Sequence, residues 1–179
     1  NKRSVTIDIA TAKGQALVKQ LAASSDVFVE NFKVGDMARY GLDYESLKAI
    51  NPSLVYCSLT GFGQTGPHAG WAYSDIVGQA MGGIMTLAGE IADPPNLLYG
   101  HQADVSASIQ AAQGTMMALL QAEATGTGQS VDVSAQESLS MSQEIAMQTW
   151  DFQKKNVFRT GEMGSLPIVI PGNSTMKTL

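Results

Sequence analysis

Asp104 is the one carboxylate in the run from Gly100 to Ser108, which is otherwise free of acidic and strongly basic residues. Behind it Ile109, Met116, Met117, Leu119 and Leu120 continue as an apolar, helix-like stretch. A carboxylate at the head of such a helix has three chemical uses. It can cap the helix by accepting from first-turn amides, it can pair with a cation, or it can attack an activated carbonyl and form a covalent intermediate. Capping and attack are compatible, because a helix N-terminus keeps the acid ionised. Residue types and spacing leave all three open.

Other chemistry-bearing residues carry less. Gly61, Gly63 and Gly66 have the G-x-G-x-x-G spacing of a dinucleotide loop. That chemistry needs a helix directly behind the third glycine, and Pro67, His68, Ala69 and Gly70 extend the loop instead. What remains is a glycine-rich loop that lets backbone approach a ligand. His68 and His101 are the only histidines, with no Cys, His and carboxylate set around them at the spacing of a zinc site or a Ser-His-Asp triad. No metal is therefore expected, and each histidine reads as a solvated or hydrogen-bonded loop residue. Met81, Met85, Met116, Met117, Met141 and Met147 read as core filling. Glu123, Lys154 and Lys155 read as solvated helix faces, and Asp75 as the cap of a helix beginning at Ile76.

The elements that must position these residues follow from periodicity. Val5, Ile7 and Ile9 alternate with polar residues, predicting a strand over 4–9. Thr11 is a candidate N-cap for a helix carrying Ala16, Leu17, Leu21 and Ala22 on one face. Strands are expected over 26–30, 54–59 and 129–134, a helical turn over 35–40, and a short helix capped by Asp43 and stopped by Asn51 and Pro52. Helices are expected over 76–87, 104–124 and 136–154. This alternation predicts an α/β fold: a Rossmann-like parallel sheet with flanking helices, followed by helical segments leading toward a second domain. The division expected is 1–134 for the central part of the α/β domain and 135–179 for helix and linker.

Composition bounds the partners. The 179 residues are 44% hydrophobic and only 15% charged, enough to build a core and low for a free-standing surface. A net charge of −5 argues against nucleic acid. No apolar run reaches membrane-spanning length, and the start lacks a signal-peptide core. A single Cys57 cannot form an internal disulfide, and a cytoplasmic protein is the expectation. The chain has no initiator Met and ends without a closing element, so it reads as an internal fragment.

Several segments taken in order carry more than any single motif. Asn1-Lys-Arg-Ser4, Val29-Glu-Asn-Phe32, Tyr40-Gly-Leu-Asp43, Asn51-Pro-Ser-Leu-Val-Tyr56, Gly61-Phe-Gly-Gln-Thr-Gly-Pro67, Ala103-Asp104 and Thr125-Gly-Thr-Gly-Gln129 together resemble the family III CoA-transferases. This is the group of formyl-CoA transferase, crotonobetainyl-CoA:carnitine CoA-transferase and α-methylacyl-CoA racemase. The likeness runs from Asn1 to about Glu144 and fades after Trp150.

The resemblance implies a mechanism in which Asp104 attacks an acyl-CoA thioester, giving a mixed aspartyl-acyl anhydride and then an aspartyl-CoA thioester that a carboxylic acid acceptor consumes. It implies a coenzyme A thioester as substrate and no permanently bound cofactor. It puts CoA contacts at Ile7, Asp8, Ile9, Ala10, Asn31, Phe32, Lys33, Arg39, Trp71, Ala72, Tyr73 and Ser74, and further oxyanion donors on a glycine loop beyond this stretch. Ala10 and Ala72 depart from basic residues found in the family. The racemase branch has a His before the Asp at the place of Ser74-Asp75, so the resemblance favours transferase over racemase or isomerase. It also implies an interlocked homodimer, and a non-catalytic truncated piece of the family is the remaining alternative.

Overall fold

A computed structural model describes residues 2–159; the terminal part of the linker expected over 135–179 lies outside them. Three strands, β1 (Val27–Glu30), β2 (Val55–Thr60) and β3 (Ser130–Ser134), form one parallel sheet in the order β1-β2-β3. Before and between them come α1 (Ala12–Ala23), α2 (Asp36–Arg39), α3 (Tyr44–Lys48) and α4 (Asp75–Met81). Helix α5 (Gln102–Thr125) then leads into β3, and α6 (Ala135–Ser140) and α7 (Glu144–Gln153) follow. The α/β class with a parallel sheet and flanking helices is the one expected. No helix among the described residues is long and apolar enough to cross a membrane.

The sheet sorts its side chains by alternation. Tyr56 and Phe28 stack at 5.2 Å on one face, packed with Ala22, Leu42, Leu47 and Leu54 beneath α1, α2 and α3. Val55, Cys57 and Val133 point to the other face, against α5. Every residue of β2 from Val55 to Ser58 is buried, as a central parallel strand requires.

Helix α5 meets the sheet through alanines. Ala103, Ala107, Ala111, Ala118 and Ala122 are its buried residues, and their small side chains let it lie close to the strands. Expectation and structure part here. Met81, Met116, Met117, Met141 and Met147 are not core filling but exposed. For Met116 and Met117 the reason is that alanine fills the inward face of α5 and its larger side chains point away.

Four local expectations are also corrected. The alternating run 4–9 is no strand: Val5 is 69% exposed, and Asp8 turns the chain into α1 instead. The Asp8 carboxylate accepts from the Ala10 N–H and its carbonyl from the Thr11 hydroxyl, while Thr11 caps α1 at the Gly14 N–H as expected. Asp43 occupies the N-cap position of α3, but its carboxylate takes the Ser46 hydroxyl rather than an amide. The helix expected over 76–87 breaks after Met81 at Gly82 and at Gly83, where φ is +88°. The helix expected over 136–154 is interrupted by a 3-10 turn at Met141–Gln143. Serines 138, 140 and 142 bond back to carbonyls there, and the Gln143 amide donates to the Gly82 carbonyl.

Candidate active site

The C-terminal ends of β1 and β2 open onto a cleft of about 910 Å³, the usual ligand position in an α/β sheet. Its walls are residues 29–34 at the end of β1, residues 59–62 at the end of β2, residues 69–75 leading into α4, and Asp104 with Ser108 on α5. The cleft thus brings together Asn31, Phe32, Lys33, Trp71, Ala72, Tyr73, Ser74 and Asp104 from the residues singled out in the sequence.

Ile7, Asp8, Ile9, Ala10 and Arg39 do not line it. Asp8 and Ala10 build the turn into α1, and Ile9 packs against the core while its carbonyl accepts from Gln15. Arg39 pairs with Asp36 at 3.3 Å and donates to the Tyr40 hydroxyl at 2.6 Å, reaching the cleft only through Asp36.

Asp104 is not the N-cap of α5. His101 holds that position in a left-handed conformation, and Asp104 sits three residues in. The cap comes from elsewhere in the chain. Asp75, the first residue of α4, accepts the Ala103 and Asp104 N–H groups on Oδ1 at 3.0 and 3.2 Å. Its Oδ2 takes the amide of fully buried Gln79 at 2.7 Å, and Gln79 in turn exchanges two bonds with the Leu98 backbone. The capping role expected of Asp75 is therefore real, but its helix is α5 rather than its own.

With its first-turn amides occupied by Asp75, the Asp104 carboxylate is free to face the cleft. Its side chain is 48% exposed. Oδ1 accepts from the Tyr73 hydroxyl at 2.9 Å, and His101 Nδ1 stands 3.7 Å from Oδ2. Tyr73 is held rigidly. A Cβ at Gly61 would lie 2.3 Å from its ring, and one at Gly78 would lie 2.7 Å from its hydroxyl, so neither position admits a side chain. Burial, then the hydrogen bond to Asp104, then the charges of Asp104 and Asp75 push the phenol well above its ordinary range. Tyr73 stays a protonated donor.

An aromatic group supports this wall. Phe62 is buried and meets His68, Trp71 and Tyr73 edge-on at 6.0, 6.1 and 6.0 Å, and His68 lies 4.1 Å from Trp71. His68, expected as a solvated or hydrogen-bonded loop residue, is thus half-buried and packs through its ring. The charged lining is acid-rich: Glu30, Asp36, Asp75 and Asp104 against Lys33. Glu30 is buried and accepts from the Phe32 N–H at 2.8 Å, fixing the turn after β1. Asp75, His101 and Asp104 also fall within 4.8 Å of one another, a grouping that linear spacing did not show. Asp75 already accepts from two amides and Gln79, so a cation there would compete with the cap of α5.

A profile of CoA-transferase family III matches residues 1–169. The chain belongs to that family. The family III match extends past Glu144, where the likeness was expected to end. Succinate–glutarate CoA-transferase of Agrobacterium fabrum is 45% identical over 132 residues, covering 74% of this chain and 33% of that protein. Succinyl-CoA–D-citramalate CoA-transferase of Chloroflexus aurantiacus is 39% identical over 173 residues, covering 97% and 42%. The crystal structure of a CAIB/BAIF family protein from Brucella suis superposes with a TM-score of 0.85 at 42% identity, over 88% of this chain and 42% of that one. The chain therefore spans a third to two-fifths of the length of these family III relatives.

Three contributors escaped sequence reasoning: the cap supplied by Asp75, the tie through Gln79, and the clamp of Gly61 and Gly78 on Tyr73. The spacing of Asp75 and Gln79, one helical turn apart, was the available signal for the tie, and nothing linear joins Asp75 to α5. Nothing linear joins Gly61 to Gly78.

Proposed function

We propose that this chain carries the nucleophile of a CoA-transferase and that the nucleophile is Asp104. The observation behind this reading is a half-exposed carboxylate, held at Oδ1 by the Tyr73 hydroxyl, facing a cleft at the strand ends. Oδ2 attacks the thioester carbonyl of an acyl-CoA and expels CoA thiolate, leaving a mixed anhydride. The thiolate then attacks the Asp104 carbonyl carbon and releases the donor acid, leaving aspartyl-CoA. An acceptor carboxylate reverses both steps. Activation passes through covalent bonds throughout, so the exchange needs no hydrolysis and no separate energy source.

The CoA chain is proposed to run past Asn31, Phe32, Lys33 and residues 71–74, with Ile7–Ala10 and Arg39 outside the cleft as contacts for its distant end. The acid-rich lining suits the acyl end of the substrate better than its phosphates. Relatives named for succinyl, glutarate and citramalate exchange make succinyl-CoA with a dicarboxylic acceptor the first pair to try. Ser74 ahead of Asp75 offers no second base, which disfavours a racemase. The working unit is taken as a homodimer, consistent with Val105, Ile109, Met116 and Leu120 standing exposed along one face of α5.

The test uses the full-length gene product with succinyl-CoA and a panel of acids. Transfer is expected in the native protein and a loss of about 10⁴-fold or more in Asp104→Ala. Transfer retained in Asp104→Ala, or α-proton exchange in deuterated water without transfer, would overturn the reading.

A further inference from the structure

The proposed cycle builds charge at two different carbon atoms. Attack by Oδ2 puts charge on the substrate's carbonyl oxygen. Attack by the CoA thiolate on the Asp104 carbonyl carbon puts it on Oδ1. Donors for the second oxyanion must therefore stand at Oδ1, and a helix N-terminus would ordinarily offer backbone amides. Here the Ala103 and Asp104 amides are taken by Asp75. Among the described residues the donor to Oδ1 is the Tyr73 hydroxyl, at 2.9 Å.

We propose that Tyr73 is a catalytic residue that stabilises the oxyanion on Asp104 Oδ1 whenever the aspartyl carbonyl is attacked. The inference rests on Asp104 being the nucleophile. The thiolate sulfur forms a bond to the Asp104 carbonyl carbon, and the π pair moves onto Oδ1. Collapse restores that carbonyl and breaks the bond to Oδ2, which leaves with the donor acid as its carboxylate. The acceptor acid attacks the same carbon and again loads Oδ1. The phenol proton stays on Tyr73 throughout, strengthening one hydrogen bond as charge grows.

Two features fit this role. The distance lies in the range an oxyanion donor needs, and the ring is locked before substrate arrives, so no reorganisation accompanies the charge. Gly61 and Gly78 lie against the ring and its hydroxyl, and Phe62 meets the ring edge-on. Burial above all raises the pKa of the phenol and so keeps the proton in place.

Tyr73→Phe retains the ring and removes only the donor. Full-length native protein and Tyr73→Phe are mixed with acyl-CoA in the absence of acceptor and quenched in acid at increasing times. Intact mass reports the acid-stable aspartyl-CoA, and free CoA reports the hydrolysed anhydride state. In Tyr73→Phe, aspartyl-CoA should form about 100-fold more slowly while free CoA rises to one equivalent per site. Formation at the native rate would overturn the proposal, as would slowing without accumulation of free CoA, which would place the defect in the first attack. A native protein that forms no adduct at Asp104 would instead overturn the reading of Asp104 itself.

Discussion

At the scale of single residues the site depends on a division of labour between two acids. Asp104 presents its carboxylate to the cleft because Asp75 satisfies the amides that Asp104 could otherwise have drawn toward itself. Asp75→Ala removes an acceptor shared by two N–H groups and frees the buried Gln79 amide. A loss of about 1–2 kcal/mol is expected, the usual cost of a lost cap, read as a lowered midpoint in denaturant unfolding. Asp75→Asn keeps Oδ1 as an acceptor and should lose less. Equal stability of Asp75→Ala and the native protein would contradict the capping role. None of this was legible in sequence. Asp75 read as the cap of a helix beginning at Ile76, but it is the first residue of α4. The helix it caps begins 27 residues later and was brought to it only by folding.

At the scale of elements, close approach decides which positions tolerate change. Helix α4 passes Tyr73 and α5 at Gly78, where an added Cβ would lie 2.8 Å from the Ala103 Cβ as well as 2.7 Å from the Tyr73 hydroxyl. Alanine in a helix interior ordinarily stabilises by about 0.5–1 kcal/mol over glycine. Gly78→Ala should reverse that sign, lowering the melting temperature and reducing turnover together as Tyr73 is pushed from Asp104. A variant more stable than the native protein with full activity would show that the contact is not tight.

The same scale explains what periodicity could and could not give. Strands β1, β2 and β3, α1 with its Thr11 cap, and the length of α5 were all visible in apolar pattern and cap chemistry. The run 4–9 had the right alternation but no strand partner, since Asp8 and Thr11 spend their hydrogen bonds on starting α1. Helices α4 and α6 end early because glycine and serine chemistry overrides an apolar pattern that would carry further.

At the scale of the molecule the apolar faces are unevenly used. Alanines seat α5 on the sheet, and Val105, Ile109, Met116 and Leu120 are each about half exposed or more along the opposite side. Met116 and Met117 read as core for their composition, and composition carries no direction; the helix phase set by the alanines turned them outward. If a second copy covers this face, full-length protein sediments as a dimer, and Ile109→Glu with Leu120→Glu shifts it toward monomer. A native protein that sediments as a monomer at micromolar concentration would contradict the dimer. Of the site itself, the carboxylate and the residues around 31–33 and 71–74 were legible through ordered resemblance, and the clamp that orients them was not.

The central claim is that Asp104 becomes covalently bonded to the transferred group. Full-length protein incubated with succinyl-CoA, quenched with borohydride and digested, should yield the peptide containing Asp104 with that side chain reduced to the alcohol and no other carboxylate altered. An unmodified Asp104 peptide from protein that is transferring CoA would contradict it.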